Sequence, residues 1–317
     1  MKRRRFLSGA AAAAATFAST TVVRPAAATT EDWHPDRPAE LWISYPPGGG
    51  ADAIARLLAR SLAEHRQWSV VAMNRPGAGG SLMLKALAGA RPDGLTLGLC
   101  LSNQLTYTAI ELGQPPFSTD AFTWIAGIAR SPFALVASAQ GGLVTLGDVA
   151  ALAAKRPVMV GVTSAMAWVP RRMAEAFGRE ITAVPFKGGA EMVQSTLAGH
   201  VDLCVNAGGH LALERAGKVV VVASLLSTRL PASPKAGTMR EQGIDLEVDS
   251  RFALMAPPGL PEPVSAAWSR AIGEIFSSTD LAGRIEAGLG LIPAYQDGDA
   301  IRASISHEIT VARHNTR

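Results

Sequence analysis

The sequence predicts an α/β fold with two domains around a cleft. Short apolar runs alternate with longer stretches of helical periodicity, the pattern of mostly parallel strands joined by helical crossovers. Clusters of glycine and proline separate these runs. The 317 residues would fill one large domain or two of ordinary size. Two successive α/β halves with a C-terminal helical return favour two.

Nine apolar runs have the length and composition of strands. They lie at 40–45, 69–74, 95–101, 133–139, 157–162, 181–186, 201–205, 218–224 and 251–256.

The first helix is expected directly after the first strand. Ile54, Leu57, Leu58 and Leu62 recur at helical spacing and line one face, so the period changes from 2 to 3.6 across the glycines at 48–50. Similar periodicity predicts helices over about 169–177, 190–198 and 263–276.

The domain boundaries follow from two expected chain crossings, near 129–133 and 249–252. They predict a discontinuous first domain of residues 29–131 and 251–317, and a second domain of residues 132–250.

Residues 1–28 have the features of an export signal. A basic cluster at 2–5 precedes an alanine-rich apolar stretch, and the alanines at 26–28 offer a small-residue cleavage site. The arginines followed by Phe6 and Leu7 resemble a twin-arginine signal, and an ordinary Sec signal is the alternative. Either signal predicts export.

Charge and composition exclude several classes of protein. The net charge is +4, but five basic residues lie in the leader, which leaves 25 basic against 26 acidic residues. A nearly neutral chain gives no case for binding nucleic acid. No later segment is long and apolar enough to remain in a membrane.

The cysteines and histidines give no case for a metal or another cofactor. Cys100 and Cys204 each lie in an apolar run, so buried thiols are favoured over a disulfide. A metal or thiol site of His200, Cys204 and His210 with Asp202 is the alternative, because His200, Asp202, Cys204 and Asn206 share strand parity. A solvated strand start explains His200 better.

The glycine loop at 48–50 is the main candidate for ligand binding. It joins a strand to a helix, so unpaired N–H groups and the positive helix end can meet a carboxylate or phosphate. Ala51 and Asp52 follow where a P-loop needs Lys-Ser/Thr, and the next strand does not end in the acidic residue of a dinucleotide site. Asp52 is expected to complement the helix dipole as a structural residue. A turn without a ligand is the alternative.

Six ordered motifs resemble those of the Bug family of substrate-binding proteins for tripartite tricarboxylate transporters. They are PPGGGAD at 46–52, NRPGAGG at 74–80, RPDGLTL at 91–97, VPFKGG at 184–189, LAGHVDL at 197–203 and APPGLP at 256–261.

The resemblance implies a periplasmic-binding-protein type II-like fold that closes over one small acid. It also implies a monomer in the periplasm that works with transporter subunits of the inner membrane. In this family, backbone N–H groups, hydroxyls and bridging waters hold the carboxylate. Carried over by position, the ligand contacts would be Tyr45, Pro47, Gly48, Gly49, Gly50, Ala51, Ser102, Asn103, Gly161, Thr163, Ser164, Ala165, Lys187, Gly188, Asn206 and Ala207.

One loop departs from the family pattern. Met166 and Trp168 stand where relatives carry small residues, and they would add apolar surface to the cleft. A larger or aromatic acid is one interpretation, and a repacked loop is the other.

The sequence shows no catalytic constellation. There is no G-x-S-x-G elbow, and the alternating Asp245, Glu247 and Asp249 suit a solvated edge better than paired catalytic carboxylates. A binding protein is therefore predicted. A ligand-dependent sensor partner and an exported enzyme that uses the same cleft are the alternatives.

Overall fold

The structure is a computed structural model that describes residues 33–113 and 117–315. The predicted leader and its cleavage site lie outside these residues. Within them, no helix has the length and apolar character needed to cross a membrane.

The strands form two sheets. In chain order they are β1 (Ala39–Ile43), β2 (Val70–Asn74), β3 (Thr96–Leu101), β4 (Thr123–Arg130), β5 (Phe133–Ser138), β6 (Val158–Val162), β7 (Ile181–Pro185), β8 (Leu203–Ala207), β9 (Val219–Ser224), β10 (Arg251–Ala256) and β11 (Ile292–Asp297).

Helices connect and cover the strands. They are α1 (Gly50–Arg66), α2 (Ser81–Ala88), α3 (Tyr107–Glu111), α4 (Leu146–Ala153), α5 (Trp168–Phe177), α6 (Gly189–Leu197), α7 (Leu211–Arg215), α8 (Glu262–Ser278), α9 (Leu281–Gly283) and α10 (Gly298–Asn315). A π-helical turn, Arg284–Gly288, follows α9. Short 3₁₀ turns include Ser102–Gln104 after β3 and Ser164–Met166 after β6.

The first sheet has the order β11-β4-β10-β3-β1-β2, and the second has the order β7-β6-β8-β5-β9. We call the elements around the first sheet the first half (residues 39–130 and 251–315). Those around the second sheet form the second half (residues 133–248). The division into two domains at these boundaries stays a prediction.

Both sheets are mixed, although mostly parallel sheets were expected. β1, β2 and β3 are parallel, as are β6, β7 and β8, but β4 and β11 run antiparallel to their neighbours, and so do β5, β9 and β10. The reason lies in the crossings. β5 and β10 each begin at the edge where the chain enters a half, so they oppose the parallel strands that end at that edge.

The two crossings bring one edge of each sheet together. The chain leaves the first half after Arg130 and enters the second at Phe133, and it returns just before Arg251. Ser131 N–H donates to the Ser250 carbonyl at 2.9 Å, which ties the crossings to each other. The carboxyl ends of β1, β3, β6, β7 and β8 lie at these two edges, where loops that start helices can reach a shared ligand.

Each sheet is covered by apolar helix faces. Ile54, Leu58 and Leu62 of α1 are buried against the first sheet, as the helical spacing predicted. In the second half, Val169 and Met173 of α5 are buried in the same way. This packing fixes the starts of α1 and α5 at the facing edges.

Candidate functional site

The glycine loop presents open main chain at the start of α1. Gly49 is the N-cap, and Gly48 has a φ of +86°, a conformation that favours glycine. A Cβ atom added at Gly48 or Gly49 would meet nothing within 4 Å. A ligand can therefore approach this backbone closely, and the first-turn N–H groups of Gly50 and Ala51 have no intrahelical acceptors.

Asp52 holds the glycine loop in place through hydrogen bonds. Its carboxylate accepts hydrogen bonds from Gly48 N–H at 3.0 Å, from Asn74 Nδ2 at 3.0 Å and from Arg56 Nε at 3.0 Å. The Arg56 hydrogen bond is the main cause that lowers the pKa of Asp52 to about 2, against the opposing effect of burial. Gly48 N–H is thus occupied by the protein, and the anion-binding capacity lies with the residues after it.

The other predicted contacts in this loop differ in exposure. Pro47 is exposed, Ala51 is buried, and the Tyr45 side chain is half-buried with its carbonyl accepting from Asn74 Nδ2 at 3.0 Å. Burial raises the pKa of the Tyr45 phenol, and the Cys100 thiol adds to that shift. Tyr45 therefore faces the interior more than a charged ligand.

The loop after β3 is held by a buried network that sequence reasoning missed. Ser102 Oγ donates to the Glu308 carboxylate and accepts from Arg251 N–H at 2.9 Å, while Thr106 Oγ1 donates to Glu308 at 3.0 Å. Burial is the main cause that raises the pKa of Glu308 to about 8. Glu308 lies on α10, far along the chain, and no local pattern marks it.

Asn103 differs from its neighbour Ser102. Its N–H donates to Ser250 Oγ at 3.2 Å, but its side-chain Oδ1 is buried and has no hydrogen-bond partner in the structure. The Ser102 hydroxyl is committed to the protein, whereas Asn103 retains an unused acceptor.

The loop after β6 is more tightly packed than its sequence suggested. A Cβ at Gly161 would lie 3.1 Å from the Phe186 ring and 3.3 Å from Cys204, so this glycine serves packing. Thr163 is half-buried, with its carbonyl accepting from Met166 N–H at 2.9 Å, and Ala165 is buried. Ser164 lies in the following 3₁₀ turn, and its side chain is outside the described part.

Met166 and Trp168 do not form an exposed apolar wall, which corrects that expectation. Both are buried, with 1% and 0% of their surfaces exposed. The Trp168 ring stacks on Tyr107 of α3, with centroids 4.7 Å apart and planes 8° from parallel. A repacked loop is therefore the interpretation that the structure supports, and the stack joins the two halves.

The start of α6 repeats the open arrangement of α1. Gly188 is the N-cap in extended conformation, and a Cβ there would meet nothing within 4 Å. Lys187 is exposed beside it. Asn206 Nδ2 donates to the Gly189 carbonyl at 3.0 Å, so the end of β8 supports the start of this helix.

His210 packs behind Asn206. Its N–H donates to Asn206 Oδ1 at 3.2 Å, and its ring Nδ1 lies 3.4 Å from the same oxygen. Its Nε2 has no partner, and burial lowers the pKa of the ring to about 4. His210 is therefore neutral at ordinary pH, and it was not among the predicted contacts.

The crossings bring the contacts of the two halves together. Asn103 N–H bonds to Ser250, Ser250 bonds to Ser131, and Ser131 Oγ donates to the Ala207 carbonyl at 3.5 Å. Residues more than a hundred positions apart thus border one cleft floor. Whether all sixteen predicted residues contact a ligand stays a prediction.

A separate cavity lies apart from this cleft. An open cavity of about 650 Å³ lies beside α1 and the turn after α9, and its lining includes Arg56, Arg60 and Arg284 but no predicted contact. In the described ranges, no group of three or more His, Cys, Asp or Glu residues could hold a metal ion.

The chain is similar to known substrate-binding proteins over most of its length. The model of the tripartite tricarboxylate transporter family receptor (TctC) matches residues 54–283. Protein BugT of Bordetella pertussis is 30% identical over 302 residues, which cover 90% of each chain.

Two solved structures share the fold. MatC of Rhodopseudomonas palustris with bound malate has a TM-score of 0.74 at 24% identity and covers 89% of this chain and 100% of its own. An R. palustris protein with adipate has a TM-score of 0.75 at 26% identity and covers 89% and 96%. The likeness confirms the predicted α/β periplasmic-binding-protein fold. The chain belongs to the TctC, or Bug, family of tripartite tricarboxylate transporter receptors, which bind solutes and are not a family of enzymes.

Proposed function

We propose that this protein captures a small organic carboxylate in the cleft between its two halves. The observation that carries the proposal is the pair of glycine-led helix starts, Gly49–Gly50 of α1 and Gly188–Gly189 of α6. Each lies at a facing sheet edge, and each N-cap glycine leaves open space for a ligand. Helix N-termini attract anions through their unpaired N–H groups and their dipoles.

The charges near the crossings support recognition by backbone groups. Arg130 Nε lies 2.8 Å from Asp249 Oδ1, and the Arg251 guanidinium lies 2.5 Å from Asp249 Oδ2. Because Asp249 engages both arginines, they offer less charge to a ligand. A carboxylate held mainly by N–H groups fits this arrangement better than one held by a salt bridge.

Ligand binding would favour the closed arrangement of the halves. Loops from both halves contact one acid in this account, so closure is stabilised by the acid's preference for the closed form. The ligands in the two R. palustris structures, malate and adipate, are small carboxylates and support this class. We further propose export to the periplasm by the twin-arginine route, action as a monomer, and delivery to inner-membrane transporter subunits.

Isothermal titration calorimetry with mono-, di- and aromatic carboxylates tests the proposal. The wild-type protein should bind at least one small acid, and Gly49→Val should weaken that binding at least 100-fold because the side chain enters the approach to the α1 start.

Gly141→Val is the matched control, since a Cβ at Gly141 also meets nothing within 4 Å but lies after β5, at the opposite end of that strand from the cleft. Binding by Gly49→Val at wild-type strength, or no binding of any acid by the wild type, would contradict the proposal.

A further inference from the structure

Trp168 occupies an unusual position in the cleft. It is the first residue of α5, it is fully buried, and it stacks on Tyr107 of the opposite half. The loop at 163–165, which borders the cleft, leads directly into it. The indole therefore lies where the two halves meet, and Tyr107 holds its ring in one orientation.

The indole N–H of Trp168 is buried without a hydrogen-bond acceptor. Other tryptophans of the chain satisfy theirs: Nε1 of Trp124 donates to the Thr119 carbonyl at 2.7 Å, and Nε1 of Trp268 donates to the Gly94 carbonyl at 3.0 Å. A buried donor without an acceptor is unfavourable and uncommon in folded proteins. An oxygen atom brought by a ligand would remove that cost.

The start of α5 otherwise offers few donors for a ligand. Pro170 lies in its first turn and has no N–H, and the N-cap Ala167 has no side-chain hydrogen bond. This helix start therefore differs from those of α1 and α6, which present glycine backbone. On the other side of the cleft, the unpartnered Oδ1 of Asn103 lies four residues before Tyr107. Each half thus contains a buried polar atom without a hydrogen-bond partner.

We propose that Trp168 is a specificity-determining residue whose indole N–H donates to an oxygen at the far end of the bound acid. The inference rests on the proposed function, in which the start of α1 or α6 holds the first carboxylate. It identifies the ligand as a short acid with a second oxygen acceptor, such as a dicarboxylate. Tyr107 acts as a positioning residue, because it fixes the plane of the indole.

Trp168→Phe tests this because it keeps an aromatic ring on Tyr107 and removes the N–H together with part of the indole. Calorimetry would compare acids of equal chain length with one and two carboxylates, for example butyrate and succinate, in the wild type and the variant. We expect about ten-fold weaker binding of the diacid and less than two-fold change for the monoacid. The unfolding temperature of the unliganded variant should fall only through the loss of packed ring, since no internal hydrogen bond is lost.

Trp268→Phe is the matched control. It removes the same part of a buried indole and also an N–H that has a protein acceptor, so its unfolding temperature should fall further than that of Trp168→Phe. Its preference between the two acids should stay as in the wild type.

Equal affinities of wild type and Trp168→Phe for the diacid would overturn the inference, and so would equal losses for both acids or a wild type that prefers the monoacid. A wild type that binds no carboxylate would overturn the proposed function as well, which distinguishes the two failures.

Discussion

The three helix starts that border the cleft differ in how they are filled. α1 and α6 begin with glycines around which there is open space, while α5 begins with a buried tryptophan stacked on the opposite half. The open starts are built to receive a ligand's charge, and the filled start is built to contact the other half. Substitutions at the first kind should change binding with little effect on stability, and substitutions at the second should change stability most.

Trp168→Ala should have the largest effect. It deletes a fully buried ring and its stack with Tyr107, so the free energy of unfolding should fall by about 3–5 kcal/mol. Urea unfolding followed by circular dichroism measures this. A loss below about 1 kcal/mol would show that the ring is not part of the packed interior.

Gly188→Val should have the opposite effect, with weaker ligand binding and nearly unchanged stability. The side chain meets no protein atom, so stability should change by no more than about 1 kcal/mol at this N-cap. Binding of the acid should weaken at least 100-fold in calorimetry. Lys187→Gln, at the exposed neighbouring residue, is the control and should change affinity by less than about three-fold. A larger effect from Lys187 than from Gly188 would contradict recognition by backbone groups.

Asp52→Asn should lower both the stability of the protein and its affinity for the acid. Because the pKa of Asp52 is about 2 in the folded protein, against 3.8 without these contacts, its stabilising effect is complete above about pH 4 and is lost as pH falls through 2. At pH 7 the variant should be less stable by about 1–2 kcal/mol, because solvent screens the half-exposed Arg56 partner, and it should bind several-fold more weakly. A stability difference that persists unchanged at pH 2 would contradict this account.

Glu308→Gln tests the buried hydrogen-bond network behind the cleft through the pH dependence of stability. The pKa of Glu308 is raised from 4.5 to about 8 in the folded protein, so the wild type loses stability as pH rises from about 4.5 to about 8. The loss is at most about 1.4 kcal/mol for each pH unit in that window. The variant should show a flatter dependence in urea unfolding at pH 5 to 8, and an identical slope would exclude a protonated Glu308.

The parts of the fold with local signals could be predicted from the sequence. The period change at Gly48–Gly50 predicted the strand, loop and helix, and the glycines at 188 and 189 marked another helix start. β8 begins two residues later than expected, at Leu203, and Asp202 before it accepts from Met159 N–H of β6 at 2.9 Å. β4 and β11 were both missed. Pro293 and side chains that are only half-buried or exposed leave β11 without an apolar run.

The contacts that hold the cleft loops in place could not be predicted, because they join residues that are far apart in the sequence. Glu308 meets Ser102 across 206 residues, and Trp168 meets Tyr107 from the other half. At Met166 and Trp168 the sequence left open a larger or aromatic acid and a repacked loop, and only the packing between the halves favours the repacked loop. A single sequence carries no record of such pairings.

A crystal structure of the protein with a bound acid would test the central claim most directly. We predict one carboxylate with an oxygen within about 3.2 Å of main-chain N–H groups at the α1 or α6 start. A carboxylate bound instead by the arginines of the cavity beside α1, with both glycine loops unoccupied, would contradict it.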